Sequence, residues 1–179
     1  MIVRLVGSEM CIRDSPSVVH FAIFDSDGSL SEVVSDARRR ELLQLSTSLE
    51  QGLNHPIAKA IRDSAEQERV DVIECDSWDY RVGRGVVATI KGQTTLLGNS
   101  KLLIEEGVDI PSIDERPDLA VATPVYLAVD GVLVGIHYAL DRVRPDTPDL
   151  IAELHRRGIE AHMLTGDIGK VAHLSLIHI

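Results

Sequence analysis

Apolar residues change their spacing several times along the chain, and each change predicts a different element. Residues 18–24 form a short β-rich apolar run that ends at an Asp-Ser-Asp-Gly turn, a pattern typical of a buried parallel strand. Leucines then repeat with helical spacing over residues 36–51, with Asp36 as a suitable cap. Pro56 suits the first position of a second helix that runs to residue 68. The two helices are expected to form a hairpin.

Strand-like segments take over after this hairpin. The sequence predicts strands over four segments: 86–90, 94–97, 125–129 and 132–138. Lys91-Gly92 and Asp130-Gly131 supply two-residue turns between them. A short helix over 100–106 is expected to end at Gly107. Strands joined by such turns run antiparallel, so the middle of the chain is predicted to be an antiparallel sheet.

A helix-to-strand rhythm returns near the end of the sequence. It predicts a helix over 146–157 that ends at Gly158, followed by a strand over 159–164. That rhythm belongs to a parallel sheet. The expected fold class is therefore α/β with an α+β insert.

The domain boundaries follow from these changes of period. The insert covers residues 33–137 and lies between two pieces of one α/β domain, 17–32 and 138–173. The end segments, 1–16 and 174–179, resemble translated sequencing adapters and are expected to be artefactual or disordered. The alternative for the first segment is a genuine flexible N-terminus.

Composition excludes some partners. The 179 residues carry a formal net charge of −10, and a nucleic-acid surface needs a basic excess instead. No apolar run approaches the roughly 20 residues of a membrane-spanning helix. The two cysteines, Cys11 and Cys75, offer no disulfide framework, which favours a reducing compartment. The sequence thus predicts no nucleic-acid partner and no membrane contact by this segment itself.

Two acidic residues, Asp25 and Asp27, follow the first apolar run. A carboxylate at the C-terminal end of a strand meets ligands in the crevice of an α/β sheet, and an aspartate there can attack phosphorus. Gly28 lets the backbone turn so that amides face a phosphoryl group. The alternative is an Asx turn on a surface loop, because Asp, Ser and Gly are common turn formers.

Two shorter motifs lie in the last part of the sequence. Thr165 and Asp167 flank a glycine directly after the last predicted strand, where a hydroxyl can donate to a bound phosphate. The same triplet is also a good helix-start signal. Asp141 and Arg144, followed by Pro145, suit an ion pair across a hinge. The alternative is a solvated charge pair that contributes little to stability.

A fourth set of residues is spread over the insert and suits a purine nucleotide. Its members are Glu50, His55, Gly83, Gly85, Gly98 and Asn99. An imidazole stacks on a purine, a carboxylate accepts from the exocyclic amine, and glycines let a base or phosphate lie against backbone. Each residue also has a structural alternative: His55 as a helix cap, the Gly83-x-Gly85 pair as a bulge, and Asn99 as a turn residue.

The order and spacing of all these motifs resemble the heavy-metal subfamily of P-type ATPases. The matching motifs are Asp25-x-Asp27-Gly28, Glu50-(x4)-His55-Pro56, Gly83-x-Gly85, Gly98-Asn99, Asp141-(x2)-Arg144-Pro145 and Thr165-Gly166-Asp167. The resemblance covers about residues 17–173. It implies an antiparallel nucleotide-binding domain inserted into a Rossmann-like phosphorylation domain of the haloacid-dehalogenase type, here incomplete.

The resemblance also implies roles for individual residues. Asp25 would be the phosphorylated residue and a Mg²⁺ ligand, with Thr165 and Asp167 near the phosphoryl group or the nucleotide. The six residues of the insert would contact ATP, so ATP and Mg²⁺ are the expected cofactors. The parent protein would be an integral membrane protein. This segment would lie on its cytoplasmic side, with the transmembrane and actuator domains as partners.

Three departures from the family's pattern leave the function open. The family's phosphorylation motif begins Asp-Lys-Thr, whereas Ser26 and Asp27 follow Asp25 here, and Ile168 replaces the Asn after Thr-Gly-Asp. Soluble phosphatases of the superfamily carry a general acid and base at the position of Asp27. The alternatives to a pump are therefore a soluble phosphatase that uses Asp25 and Asp27, or a non-catalytic nucleotide-binding module.

Overall fold

The computed structural model describes residues 16–25, 29–31, 33–111, 119, 122–140 and 147–159. Its elements in chain order are β1 (Ser17–Ile23), α1 (Asp36–Leu49), α2 (Pro56–Gln67), β2 (Ser77–Arg81), β3 (Gly85–Ile90), β4 (Gln93–Gly98), α3 (Ser100–Glu105), β5 (Thr123–Val129), β6 (Val132–Leu140) and α4 (Thr147–Arg156). Residues Pro16–Leu140 form one compact unit, and α4 belongs to a second unit. Among the described residues, no helix has the length and apolar character needed to cross a membrane.

Six strands form a single sheet in the order β1-β6-β5-β4-β3-β2, and every neighbouring pair is antiparallel. The antiparallel sheet predicted for the middle of the chain is confirmed. Lys91 and Asp130 are the first residues of the two predicted turn pairs. Both adopt positive φ, as two-residue hairpin turns of this kind require. The sheet extends beyond the predicted insert, because β1 pairs with β6 at one edge.

The prediction that the first apolar run is a parallel strand is wrong. β1 runs antiparallel to β6, with Ile23 opposite Gly135. The physical reason for the error is burial on both faces. Phe21 and Ile23 pack into the core on one face of the sheet, and Ala22 packs into the core on the other. A strand buried on both faces has a continuous run of apolar residues, whether it is parallel or antiparallel to its neighbour.

Two helices cover one face of the sheet. The prediction of Asp36 as the cap of α1 is wrong: the Ser35 hydroxyl accepts from the N–H of Arg38, and Asp36 is the first residue of the helix. His55 caps α2, and both helices end within two residues of their predicted ends. Their apolar faces join the inward side chains of the strands in one core, whose fully buried members include Leu42, Leu49, Ile61, Val86 and Leu97. The predicted helical hairpin is confirmed.

Helix α3 supports the opposite face of the sheet. Leu102 and Leu103 pack with Leu96, Ala128 and Ile136 in a second core. The last predicted helix is also present as α4, and Gly158 follows it with φ +68°. The strand predicted over 159–164 lies outside the described residues apart from its first residue.

Candidate functional site

Glu50 lies at the C-terminal end of α1 and is only 8% exposed. Its backbone N–H donates to the carbonyl of Ser46 and so closes the last turn of the helix. Burial raises the pKa of the Glu50 carboxyl to about 7, although the charge of Arg62 acts to lower it. A buried carboxyl is costly to keep charged. Carboxyl groups with pKa values shifted in this way are common at functional sites.

Arg62 holds the loop between the two helices. Its Nη1 atom donates to the carbonyl of Glu50 at 2.7 Å and to that of Leu53 at 2.9 Å. A guanidinium that binds two carbonyls of one loop fixes its shape, because the fork of donors is rigid. Glu50 and His55 are therefore carried on a single loop of defined conformation.

His55 is both the cap of α2 and an exposed side chain. Its Nδ1 atom accepts a hydrogen bond from the backbone N–H of Ile57 at 3.3 Å, as expected for a residue that precedes Pro56 at the helix start. Since Nδ1 accepts, the neutral ring carries its proton on Nε2. The capping alternative for His55 is thus confirmed, and the cap orients an exposed imidazole beside the loop.

Asn99 joins the two glycine motifs. Its Nδ2 atom donates to the carbonyl of Gly83 at 2.8 Å, and its Oδ1 atom accepts from the N–H of Leu102 at the start of α3. The backbone N–H of Asn99 donates to the carbonyl of Arg84. The motifs Gly83-x-Gly85 and Gly98-Asn99, which are distant in sequence, therefore form one structural unit.

The three glycines of this unit have different reasons to be glycine. A Cβ atom on Gly85 would lie 2.2 Å from the carbonyl oxygen of Leu97, and one on Gly98 would lie 2.3 Å from that of Arg84. These two glycines let the β3 and β4 backbones approach closely. Gly83 has φ +69°, and a Cβ atom there would meet nothing within 4 Å. The space in front of Gly83 is open, so this is the glycine that a ligand can approach.

The edge strand β2 was missed by the sequence analysis. Its aromatic residues alternate with polar ones, but the run is only five residues long and mostly exposed, so the strand signal is weak. The strand nevertheless links both parts of the site. The indole Nε1–H of Trp78 donates to the carbonyl of Leu49, beside Glu50, at 2.8 Å. At its other end β2 leads into the turn that contains Gly83. Ion pairs from Arg81 and Arg84 to Glu106 and Glu105 connect this turn to α3.

Asp25 lies in a different setting, on a hairpin at the edge of the sheet. Its N–H donates to the carbonyl of Ser29, and the N–H of Ser31 donates to the carbonyl of Ile23, both at 2.9 Å. The Asp25 side chain is exposed. Residues 26–28 lie outside the described residues, so both the phosphorylated-residue role of Asp25 and its surface-turn alternative stay predictions.

Several predicted site residues lie outside the described residues. They are Asp27, Asp141, Arg144, Pro145, Thr165 and Asp167, so their roles stay predictions. Within the described ranges, no group of three or more His, Cys, Asp or Glu side chains could hold a metal ion. The Mg²⁺-ligand role of Asp25 likewise stays a prediction.

His137 is a buried polar residue that no motif indicated. It lies beneath α1, where its Nε2 atom is 2.7 Å from the hydroxyl oxygen of Ser46. Its ring stacks on Phe21 with centroids 3.8 Å apart. Burial, and to a lesser extent the charge of Arg39, lower the pKa of His137 to about 3. A buried imidazole with this pKa is neutral near pH 7.

Comparisons with known proteins agree on the kind of molecule. The profile of the haloacid dehalogenase-like hydrolases matches residues 20–179. A copper-transporting P-type ATPase of Rhizobium leguminosarum bv. viciae is 31% identical over 94% of this chain and 22% of the relative. A zinc-transporting ATPase of Synechocystis is 33% identical over 89% of this chain and 23% of the relative. The chain thus spans about a quarter or less of the length of these curated relatives.

A solved structure shows the same likeness. One crystal structure of a zinc-transporting PIB-type ATPase is 25% identical, with a TM-score of 0.67 over 92% of this chain and 25% of that chain. The fold of this chain therefore corresponds to that of one segment of the transporter.

Proposed function

We propose that this chain, which belongs to the haloacid dehalogenase-like hydrolase family, is the nucleotide-binding region of a heavy-metal-transporting P-type ATPase. The similar proteins transport copper or zinc by name, so the parent protein is expected to couple ATP hydrolysis to export of such an ion. The parent would be embedded in a membrane, with this region on the cytoplasmic side next to the transmembrane and actuator domains.

One observation carries the proposal. Glu50 and His55, which match the most subfamily-specific motif, share a loop that Arg62 fixes, while Asn99 shapes an open turn at Gly83. The adenine amine would donate to the Glu50 carboxylate, and the exposed imidazole of His55 would stack on the purine. At Gly83 the backbone would lie against the nucleotide, since no side chain intervenes. Magnesium would arrive bound to the phosphates of ATP, and no step of this proposal depends on it.

The aspartyl-phosphate role of Asp25 in the parent protein is the second part of the proposal, and the haloacid dehalogenase-like family match supports it. Asp25 lies on an exposed hairpin that follows the antiparallel edge strand β1. The two residues after it, Ser26 and Asp27, differ from those in the family's motif. We propose that phosphoryl transfer to Asp25 takes place in the parent protein, and that ATP binding is the activity that the described residues of this chain carry by themselves.

Incubation with radiolabelled Mg-ATP, followed by acid precipitation, tests this inference about Asp25. The expected result is no acid-stable label. A hydroxylamine-sensitive label that disappears in Asp25→Asn would show that this chain carries phosphoryl transfer by itself. Hydrolysis of p-nitrophenyl phosphate that is lost in the same variant would instead support the soluble phosphatase.

Calorimetric titration of the chain with ATP tests the proposed function. The contacts are few, so we expect a Kd of roughly tenths to several millimolar, equivalent to about 3–5 kcal/mol. His55→Gln should weaken binding, because the amide stacks poorly on a purine. His155→Gln is the matched control, since His155 is also exposed but belongs to none of the predicted site motifs. Absence of binding, or equal losses in both variants, would refute the proposal.

A further inference from the structure

Strand β2 carries two aromatic rings on one face of the sheet. Trp78 lies opposite Ala88 and Tyr80 lies opposite Val86 in the β2–β3 ladder. Residues directly opposite each other in an antiparallel pair have side chains on the same face. Val86 and Ala88 belong to the core that α1 and α2 cover. Both aromatic side chains therefore stand on the helix-covered face.

The two rings stay open to solvent because β2 is an edge strand. Trp78 is 43% exposed and Tyr80 is 42% exposed. Their ring centroids are 6.2 Å apart, and the ring planes differ by only 15°. Large aromatic side chains usually gain free energy by burial. An exposed and mutually aligned pair therefore indicates a surface that a ligand covers.

The position of the pair along β2 connects the two parts of the site. The hydrogen bond from Trp78 to the carbonyl of Leu49 places the indole beside the residue that precedes Glu50. Tyr80 is two residues nearer the turn that carries Gly83, a spacing of roughly 6–7 Å along a strand. Along the strand, the Tyr80 ring thus lies between the Glu50 segment and the open turn.

We infer that Trp78 and Tyr80 form the surface on which one face of the adenine base stacks, opposite the face that His55 covers, with Tyr80 as an affinity-determining residue. This inference rests on the proposed function, because it names where the base lies in that site. Stacking of a base on an aromatic side chain contributes about 5- to 150-fold in affinity. The base would lie with its amine edge toward Glu50, and the phosphates would continue toward Gly83.

The single tryptophan of the sequence makes the test direct. ATP is titrated into the whole chain while Trp78 fluorescence is followed, and the Kd is measured in parallel by calorimetry. Tyr80→Phe keeps the ring and should bind ATP within about twofold of the wild type. Tyr80→Ser removes the ring and should raise the Kd by at least about fivefold. Inorganic tripolyphosphate, which has no base, should leave Trp78 fluorescence unchanged.

Val132→Ser is the matched control. Val132 is also 42% exposed, but it follows the β5–β6 turn, where Gln93 at the start of β4 donates to Asp130. This is the end of the sheet opposite Gly83, so the control should bind ATP like the wild type.

The possible outcomes separate the inference from the proposed function. Saturable quenching of Trp78 by ATP, with weaker binding in Tyr80→Ser alone, would support the stacking surface. Undiminished ATP binding in Tyr80→Ser would overturn it while leaving the proposed function intact. Calorimetric binding of ATP without any change in Trp78 fluorescence would also overturn it, and that result needs no variant to fold. If ATP does not bind the wild type, the proposed function falls as well.

Discussion

At the scale of single residues, the fold has a large effect on the ionisation of His137. Its pKa falls from 6.5 to about 3 because the ring is buried beneath α1, near Arg39. The unfolded chain takes up a proton below about pH 6.5, whereas the folded protein does not until about pH 3. Stability is therefore present above pH 6.5 and is lost as the pH falls through this window.

We expect protonation of His137 in the unfolded chain to lower the free energy of unfolding by about 2 kcal/mol at pH 5 relative to pH 7. Urea unfolding of the wild type and of His137→Phe at both pH values measures the effect. Since the other titrating groups are shared, the difference between the two proteins isolates His137. Equal pH dependences in the two proteins would show that the imidazole is not held neutral by the core.

Glu50 has a pKa shift that acts on stability in the opposite direction. Its carboxyl has a pKa raised by burial from 4.5 to about 7, so the folded protein binds the proton more tightly than the unfolded chain. The stabilising effect is present below pH 4.5 and is lost as the pH rises toward 7.

The Glu50→Gln variant cannot ionise at this position, so it does not lose this stability as the pH rises. Between pH 4.5 and pH 8 its free energy of unfolding should therefore rise by about 1–3 kcal/mol relative to that of the wild type. Denaturant unfolding at the two pH values provides the measurement. The same substitution should weaken ATP binding, because a neutral amide oxygen accepts less strongly than a carboxylate. A variant that gains no relative stability with rising pH would contradict the burial argument.

At the scale of elements, two turn glycines with similar backbone φ angles have different predicted roles. Gly83 and Gly131 have φ values of +69° and +80°, and a Cβ atom on either would meet nothing within 4 Å. Alanine at either position should therefore cost a similar amount of stability, about 1–2 kcal/mol, through backbone strain alone.

Only Gly83→Ala is expected to weaken ATP binding, because its methyl group would occupy the open face of the turn. Thermal unfolding and ATP titration of the two variants, side by side, separate strain from ligand contact. Equal ATP affinities for the two variants would place the nucleotide away from the β2–β3 turn.

The elements also show which features the sequence could predict. Turn pairs such as Asp130-Gly131 are local signals, so the antiparallel strands that they join were predicted correctly. The direction of β1 was predicted wrongly, because a strand buried on both faces has the same apolar pattern whether it runs parallel or antiparallel to its neighbour. The edge strand β2 is short and mostly exposed, so its alternation of aromatic and polar residues is a weak signal.

At the scale of the whole molecule, β1 is hydrogen-bonded into the same sheet as the strands of the predicted insert. The compact unit is Pro16–Leu140, whereas the sequence placed the start of the insert at residue 33. The assignment of residues 17–32 to a phosphorylation domain thus rests on the resemblance and has no support from these contacts. Domain boundaries depend on long-range pairing, which no local pattern reports.

The candidate site was predictable only where its residues form motifs. Glu50, His55 and the glycine pairs were found by their spacing. Trp78 and Tyr80 belong to no motif, and their relevance follows from register with β3. Arg62 also belongs to no motif, because its two hydrogen bonds to loop carbonyls depend on the packing of α2 against α1.

The central claim is that ATP binds between the Glu50–His55 loop and the unit formed by Gly83 and Asn99. The most direct test is to map backbone amide NMR shifts of the whole chain during an ATP titration. The account predicts saturable shifts that concentrate at Glu50, His55, Gly83 and Asn99 and that shrink in His55→Gln. Shifts that spare these residues, or that are unchanged in His55→Gln, would contradict the account.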